Sequence, residues 1–539
     1  MFREESGAIT GETDCDGNHF LRDRDRENRR IKKSASKSFR KEHESEGGLL
    51  SISVMQFQIH DIRFHVLPMR TRFPFKYGIA SMSALPHLFV SLDLSVGGRQ
   101  ARGIASEGLA PKWFTKDPNT FIEQDLAEML AVIQNASRIA RLASPKPVLY
   151  FRWWQELYQE QARWATVKQI PSLLANLGVS LMERAVLDGL CKAADTSFHR
   201  LLGSDSLGIS LGEVHEALSG ISVAQVLPAE PQARISVRHT VGLGDPLRAR
   251  DIPADKQLND GLPHALDESI RAYGLRHFKI KACGQAHLDL PRLREITAIL
   301  AEECPDGFLA TLDGNEQFQD LASFRDFYET LRADHALTPL FQNLLFIEQP
   351  LHRDHALKDD VAVALTEWTE GPGLIIDEAD GALKDLPQAL DLGYSGTSHK
   401  NCKGIMKGLT NAALLKVRSA SSKRPLILSG EDLANVGPVA LLQDLAMMAT
   451  LGITHVERNG HHYFRGLSMH PPAVQEAVLQ THTGLYRQHE AGFPTLDIRA
   501  GQADLRTVNA APFGCGIDLD TTAYLPLNDW IKQGGMSQL

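Results

Sequence analysis

No stretch of this 539-residue chain is apolar over the ~18 residues that a membrane-spanning helix needs, and the first 30 residues lack the apolar core of a signal peptide. Both absences lead to the expectation of a soluble, cytoplasmic protein with no membrane partner. Cysteine is sparse. The six (Cys15, Cys191, Cys283, Cys304, Cys402 and Cys515) are scattered without metal-type pairs, which fits a reduced setting better than a disulfide framework. A basic excess is missing too: Lys and Arg number 57 against 66 Asp and Glu, so a general nucleic-acid surface is not expected.

The length allows two or three domains. Residues 1–54 are dense in charge, as in RDRDRENRRIKK (Arg22 to Lys33), and almost lack periodic apolar residues, so they cannot bury enough surface to fold alone. A solvated tail is the favoured reading over a nucleic-acid or partner-binding arm; a translation start at Met55 is a third. Residues 55–225 mix short strands with helices, as expected of an α+β cap. HLFVSLDLSV (His87 to Val96) alternates as a strand does, and DLAEMLAVIQNASRIARLA (Asp125 to Ala143) carries apolar residues at helical spacing. The aromatic cluster FRWWQELYQEQARW (Phe151 to Trp164) is expected to pack between helices, since a nucleic-acid stacking platform would need more basic residues interleaved.

Residues 226–484 hold eight strand-like segments separated by amphipathic stretches. One such stretch places Phe318, Leu321, Phe324, Phe327 and Leu331 on one helical face. Eight alternations of strand and helix predict a (β/α)8 (TIM-type) barrel, with the N-terminal cap beside it. Residues 485–539 break the pattern.

Five successive segments end on charge: FKIK at Lys279 and Lys281, ATLD at Asp313, LFIE at Glu348, LIID at Asp377 and SGTSHK at Lys400. The steps from 281 through 313, 348 and 377 to 400 are 32, 35, 29 and 23 residues, the length of one strand, one helix and two loops. Catalytic groups of such barrels sit at the C-terminal strand ends. Three converging carboxylates would repel one another unless a hard divalent cation lay between them, and Mg2+ takes oxygen ligands while keeping places for water or substrate. At about 4 Å and an effective dielectric near 20, each unit of charge contributes roughly 4 kcal/mol, enough to stabilise a developing enolate oxygen. A lysine moves protons once its pKa falls from about 10.4 toward neutrality. Lys279 and Lys281 share a strand face, so the charge of Lys279 disfavours protonation of Lys281 and makes Lys281 the better base. Alone, each carboxylate could be a turn or cap residue; three on consecutive strand ends between two lysines favour a site.

These motifs resemble the enolase superfamily, and within it the muconate lactonizing enzyme-like subgroup of the mandelate racemase/muconate lactonizing enzyme family, marked by a KxK run ending the second barrel strand. The resemblance covers roughly residues 56–539. It implies that Lys281 and Lys400 are the acid/base pair, Lys279 the auxiliary lysine, and Asp313, Glu348 and Asp377 the ligands of Mg2+, with Mn2+ as a possible substitute. Asn315 and Glu378 would lie beside these ligands, with Glu431, His461 and His462 near them or near substrate. RFPFKYGIA (Arg72 to Ala80) resembles the mobile cap loop, GIASEGLAPKWF (Gly103 to Phe114) the strand and loop that follow, and Ser180 to Gly203 the helical segment leading into the barrel. The C-terminal segment would return to the cap.

The chain departs from the pattern with DEAD after the fifth strand, where DES is usual, and with KGIMKG after the sixth, where a KxGG run is usual. The seventh strand offers Glu431 and Asp432 and no histidine of the mandelate racemase type, and the paired aspartates of dipeptide epimerases are not evident near the eighth. Lys403 and Lys407 are expected to be solvated, without a role. The activity implied is Mg2+-dependent abstraction of the proton next to a carboxylate through an enediolate, best suited to a racemase or epimerase. A lyase or dehydratase, a cycloisomerase, and a catalytically silent metal-binding barrel are the alternatives. The resemblance also implies a small carboxylate substrate and a homo-oligomer.

Overall fold

The computed structural model describes residues 54–77, 80–369, 371–431 and 433–538, and in it the eight apolar runs become eight parallel strands. They are Arg234–Val241, His277–Lys281, Leu309–Asp313, Leu344–Glu348, Gly373–Ile376, Gly396–His399, Ile427–Gly430 and His455–Arg458. Each pairs with the next, and the eighth pairs with the first, with Val456 opposite Val237, so the sheet closes into a barrel without edges. Amphipathic helices such as Ala286–Glu303, Leu321–Arg332 and Ile405–Ser419 run between the strands. In a closed ring of eight taken in sequence order, the second and sixth strands stand across the barrel from each other.

Three element boundaries at the site differ from the sequence reading. Asp377 and Lys400 lie one residue beyond the ends of the fifth and sixth strands. Phe318 precedes its helix, which starts at Leu321 because the Asp320 carboxylate accepts from the Ser323 N–H at 2.8 Å and caps it. Phe318 is buried and bridges to Leu351, while Leu321, Phe324, Phe327 and Leu331 face the core as expected.

The barrel interior is ionic as well as apolar. Arg238 on the first strand is buried, meeting Glu431, Ser429 Oγ at 2.9 Å and His455 Nδ1 at 2.9 Å, with its guanidinium 5.3 Å from the Phe346 ring. Charges removed from water are tolerated only when paired, and these pairings lie directly beneath the strand ends that carry the site.

The cap is an antiparallel sheet in the order Leu525–Pro526, Gln56–Leu67, His87–Val96, Arg99–Gly108, covered by helices Ile122–Leu142, Tyr150–Lys168 and Ser172–Ala194. Phe151, Trp153 and Trp154 are buried among these helices. The last helix packs so closely on the sheet that a Cβ on Gly103 would lie 1.9 Å from the Ala185 carbonyl oxygen, so only glycine fits there. A hairpin, Arg70–Tyr77 with Ala80–Ala84, reaches from the cap over the barrel mouth. The C-terminal segment first adds Gln502–Asp504 antiparallel to the first barrel strand and then pairs Pro526 with His65 of the cap.

The charged extension lies outside the described residues apart from Val54, as do Asp432 and, in the expected cap loop, Gly78 and Ile79. No helix among the described residues is long and apolar enough to cross a membrane.

Candidate active site

Strand register brings the expected groups to one end of the barrel. Lys281 stands opposite Asp313 on the second and third strands, and Asp313 opposite Glu348 on the third and fourth. Lys281 Nζ lies 2.5 Å from Asp313 Oδ2. Lys279, two residues back on the same face, is 1 % exposed and reaches Glu348 and Glu431 at 2.7 Å each, with Asp313 and Glu457 at 3.1 Å. Across the barrel, Lys400 Nζ lies 2.7 Å from Asp377 Oδ2 and 4.0 Å from Glu348, and its ammonium sits 5.1 Å from the Trp113 ring centroid. Lys279, Lys281, Asp377 and Lys400 line one cavity together with Glu457 and Asn459.

Electrostatics at the site follow from burial and the density of charge. Burial pushes the Glu348 carboxyl well up, and the neighbouring Asp313 and Glu431 charges push it further. Burial likewise raises Glu378 to about 7, helped by Asp377, Glu316 and Asp313, and its Oε2 is buried without a hydrogen-bond partner. For Asp377 burial works against ionisation, but Lys400 and Lys403 outweigh it and hold the carboxyl well below the usual range. The same balance, with Asp377 outweighing burial, holds Lys400 above the ordinary lysine range as an ammonium.

The residues expected beside Asp313, Glu348 and Asp377 take different places. Asn315 donates its backbone N–H to Asp313 Oδ1 at 2.9 Å and gives its carbonyl to Lys116 of the cap. Glu431 is buried against Lys279 and Arg238. His461 and His462 do not line the cavity. His461 faces His239, with Nε2 and Nδ1 3.2 Å apart, and His462 lies 3.7 Å from Asp245 and packs on Phe73 of the cap hairpin.

The expectation for Lys403 and Lys407 is overturned. Both are buried, 2 % exposed each, because the chain after the sixth strand turns inward before its helix begins. Lys403 Nζ donates to the Asp377 carbonyl at 2.6 Å and to Ser398 Oγ at 2.9 Å and lies 2.8 Å from Asp377 Oδ1; Lys407 meets Asp380.

Other residues escaped the sequence reading. Gln349, next to Glu348, accepts through Oε1 the N–H groups of Asp377 at 2.7 Å and Ala379 at 3.1 Å, tying the fourth strand end to the fifth. Glu457 lies one residue before the end of the eighth strand, a charge at the close of an apolar run like those that marked the other five, and touches Lys279 and Thr240. Asn315, Glu316, Gln349 and Ala434 all adopt positive φ between 36° and 63°. Left-handed backbone at non-glycine residues costs free energy, and its concentration at one barrel end is the pattern of a functional site.

As they stand, no three acidic, histidine or cysteine side chains among the described residues converge closely enough to enclose an ion; ammonium groups lie between the carboxylates. The donor chemistry still suits a hard cation. Asp313, Glu348 and Asp377 are buried oxygen donors on consecutive strands, Glu348 is raised by its like-charged neighbours, and Glu378 adds an unpartnered oxygen beside them.

No family model matches the chain, and no curated protein does. Solved structures do. An enolase from Bradyrhizobium, complexed with magnesium and mandelic acid, is 14% identical over 87% of this chain and 97% of its own, with a TM-score of 0.53. The 2-chloromuconate cycloisomerase of Rhodococcus opacus 1CP is 15% identical over 86% of this chain and 98% of its own, with a TM-score of 0.53. The N-succinyl Arg/Lys racemase of Bacillus cereus ATCC 14579 is 16% identical over 86% and 96%, with a TM-score of 0.52. At this identity the likeness is one of fold: the chain has the capped (β/α)8 barrel seen in solved structures of the enolase superfamily.

Proposed function

We propose that the protein is an enzyme of the enolase superfamily that removes the proton next to a carboxylate and returns one on the opposite face, a racemase or epimerase of a small carboxylic acid. The observation that carries this reading is the placement of Lys281 and Lys400, on strands across the barrel from each other, in the wall of one cavity.

Asp313, Glu348 and Asp377 would hold Mg2+, or Mn2+ in its place. The bound ion would supply positive charge against the charge that builds on the substrate carboxylate as the α-proton leaves. The remaining roles belong to the chain. Lys281 takes the α-proton on one face as the base. Lys279, fixed by four carboxylates, sets a positive charge next to Lys281 on the same strand face. Lys400, held as an ammonium by Asp377, gives a proton to the other face. Turnover leaves Lys281 charged and Lys400 neutral, ready for the reverse reaction. Gln349 and Lys403 fix the Asp377 backbone and carboxylate so that these distances are kept.

The names of the neighbours support this coarsely. One is a racemase and one a cycloisomerase, and one is complexed with magnesium and a small carboxylate. The test is incubation of the protein with Mg2+ and a carboxylate panel in D2O. Deuterium appearing next to the carboxylate, and lost in Lys281→Ala for the enantiomer whose α-proton faces Lys281, is the expected result. Exchange that persists unchanged in Lys281→Ala would end this reading.

A further inference from the structure

The cavity above the lysines is divided by chemistry. Its floor, at the strand ends, is polar throughout; its roof is Phe75 and Met82 of the cap hairpin, Ala110 and Trp113 of the cap, and Leu433 and Ala434 after the seventh strand. Among the described residues lining the roof there is no hydroxyl, amide or charged side chain.

This roof is braced from behind. Phe75 stands opposite Met82 across the hairpin, so both side chains project to the same face. Behind it, the Phe75 ring stacks on Tyr463 with centroids 4.2 Å apart, and the Tyr463 hydroxyl donates to Asp245 at 2.6 Å. The segment carrying Trp113 is clamped to the barrel, where Arg353 donates to the carbonyls of Trp113 at 3.0 Å and Phe114 at 2.8 Å while also holding Glu316. A side group that enters the cavity therefore meets an apolar wall braced from behind.

We propose that the substrate is a monocarboxylate whose side group is uncharged hydrocarbon, aryl or branched alkyl, with the carboxylate toward the floor and the side group against Phe75, Met82 and Trp113. This rests on the reading of the floor as a site of proton abstraction. Sugar acids, dicarboxylates and amino-acid derivatives with charged side groups are disfavoured, since a hydroxyl or charge against this roof loses its water and meets no polar group other than the Trp113 indole N–H. The expected discrimination is about tenfold to hundredfold against polar side groups of similar size.

The test uses the whole protein with Mg2+ and two matched sets of probes. Phenylacetate, 2-phenylpropanoate and 4-methylpentanoate form the apolar set; gluconate, glutarate and 5-aminopentanoate the polar one. Binding is read by tryptophan fluorescence, with Trp113→Phe identifying the pocket signal among the six tryptophans, and α-proton exchange is read in D2O. Tighter binding of the apolar set by tenfold or more supports the proposal. Met82→Lys should then shift preference toward glutarate, with Met82→Gln as the milder change should the first fail to fold. Apolar preference without exchange upholds the side-group assignment and removes proton abstraction. Equal or tighter binding of the polar set overturns the proposal whether or not exchange occurs, and so does absence of binding by every probe.

Discussion

The ammonium of Lys403 lies 2.8 Å from Oδ1 of Asp377 while the ammonium of Lys400 lies 2.7 Å from Oδ2, so two lysines three residues apart divide one carboxylate between them. Lys403 also donates to the carbonyls of Asp377 and Ser398, which makes it part of the frame of the fifth and sixth strand ends. Lys400 faces the cavity and Lys403 does not. The two therefore differ in kind, one available to substrate and one holding Asp377 in orientation.

Lys403→Met is expected to destabilise the fold by about 3 kcal/mol, because a buried carboxylate then lacks one of its cations. The double variant Lys403→Met/Asp377→Asn should recover much of that loss. Chemical denaturation of the four proteins of this cycle gives the coupling. A coupling near zero would mean that Lys403 is merely accommodated.

Metal binding can be read without turnover. A ligand that binds the folded chain alone stabilises it by mass action, by about 2.7 kcal/mol at a hundred times its Kd. Adding Mg2+ should raise the Tm of the parent, and Mn2+ should do the same. Glu348→Gln should reduce that rise by removing one charged oxygen donor from the middle of the set. EDTA should abolish α-proton exchange in the parent, with Mg2+ restoring it. An undiminished Tm response in Glu348→Gln would take this residue out of the metal site.

Much of the barrel was legible because parallel strands buried on both faces must be apolar runs, and the charged residues ending them had no structural reason to be there. The ends at Lys281, Asp313, Glu348, Asp377 and Lys400 all arrive at one place for that reason. Glu457 carries the same mark in HVE, but nothing in the sequence shows that it meets Lys279. Lys403 was misjudged on different grounds: a lysine after a strand is usually solvated, and nothing local shows that the chain turns inward between Asn401 and Gly404. His461 and His462 follow the eighth strand, a place expected for substrate contacts, yet the short helix Gly460–Tyr463 turns them toward His239 and the cap hairpin. Such reversals depend on backbone direction over a few residues, which periodicity does not record.

Stability should depend on pH through Glu183, a residue of the cap's long helix. Its carboxylate is fully buried and accepts the N–H groups of Ile405 and Met406 at the start of the helix after the sixth strand. Burial outweighs these bonds and raises the group from 4.5 to about 7. Below the lower value the group is protonated in folded and unfolded chains alike. Between the two values the folded chain keeps a proton that the unfolded chain has lost, so stability falls as pH rises and the loss is complete above about 7. Its size is at most about 3 kcal/mol. Glu183→Gln should flatten this part of the profile, and Tm measured from pH 4 to 8 in both proteins checks it.

The clamp on the roof should be visible in hydrogen exchange. Arg353 makes a forked contact with Glu316 while reaching two cap carbonyls, and Lys116 meets the same Glu316 from the cap side at 3.0 Å. Lysine cannot reproduce a planar fork. Arg353→Lys should speed amide exchange over residues 110–116 about tenfold while leaving the barrel strands unchanged. Unaltered exchange there would mean that the cap segment is held by packing alone.

Lys281 and Lys400, proposed as base and acid, make separate predictions because they stand on opposite sides of the barrel. With a chiral acid such as 2-phenylpropanoate, each enantiomer presents its α-proton to one lysine only. Lys400→Met should stop interconversion, lowering it by about 10²-fold to 10⁴-fold, while Lys281 continues to exchange the proton of the enantiomer that faces it. Lys281→Met should leave the complementary pattern, with exchange restricted to the other enantiomer. NMR of each pure enantiomer in D2O, with Mg2+ present, reads both outcomes. Exchange of both enantiomers in either variant would show that one lysine serves both faces, and the assignment of an acid and a base across the barrel would fall with it.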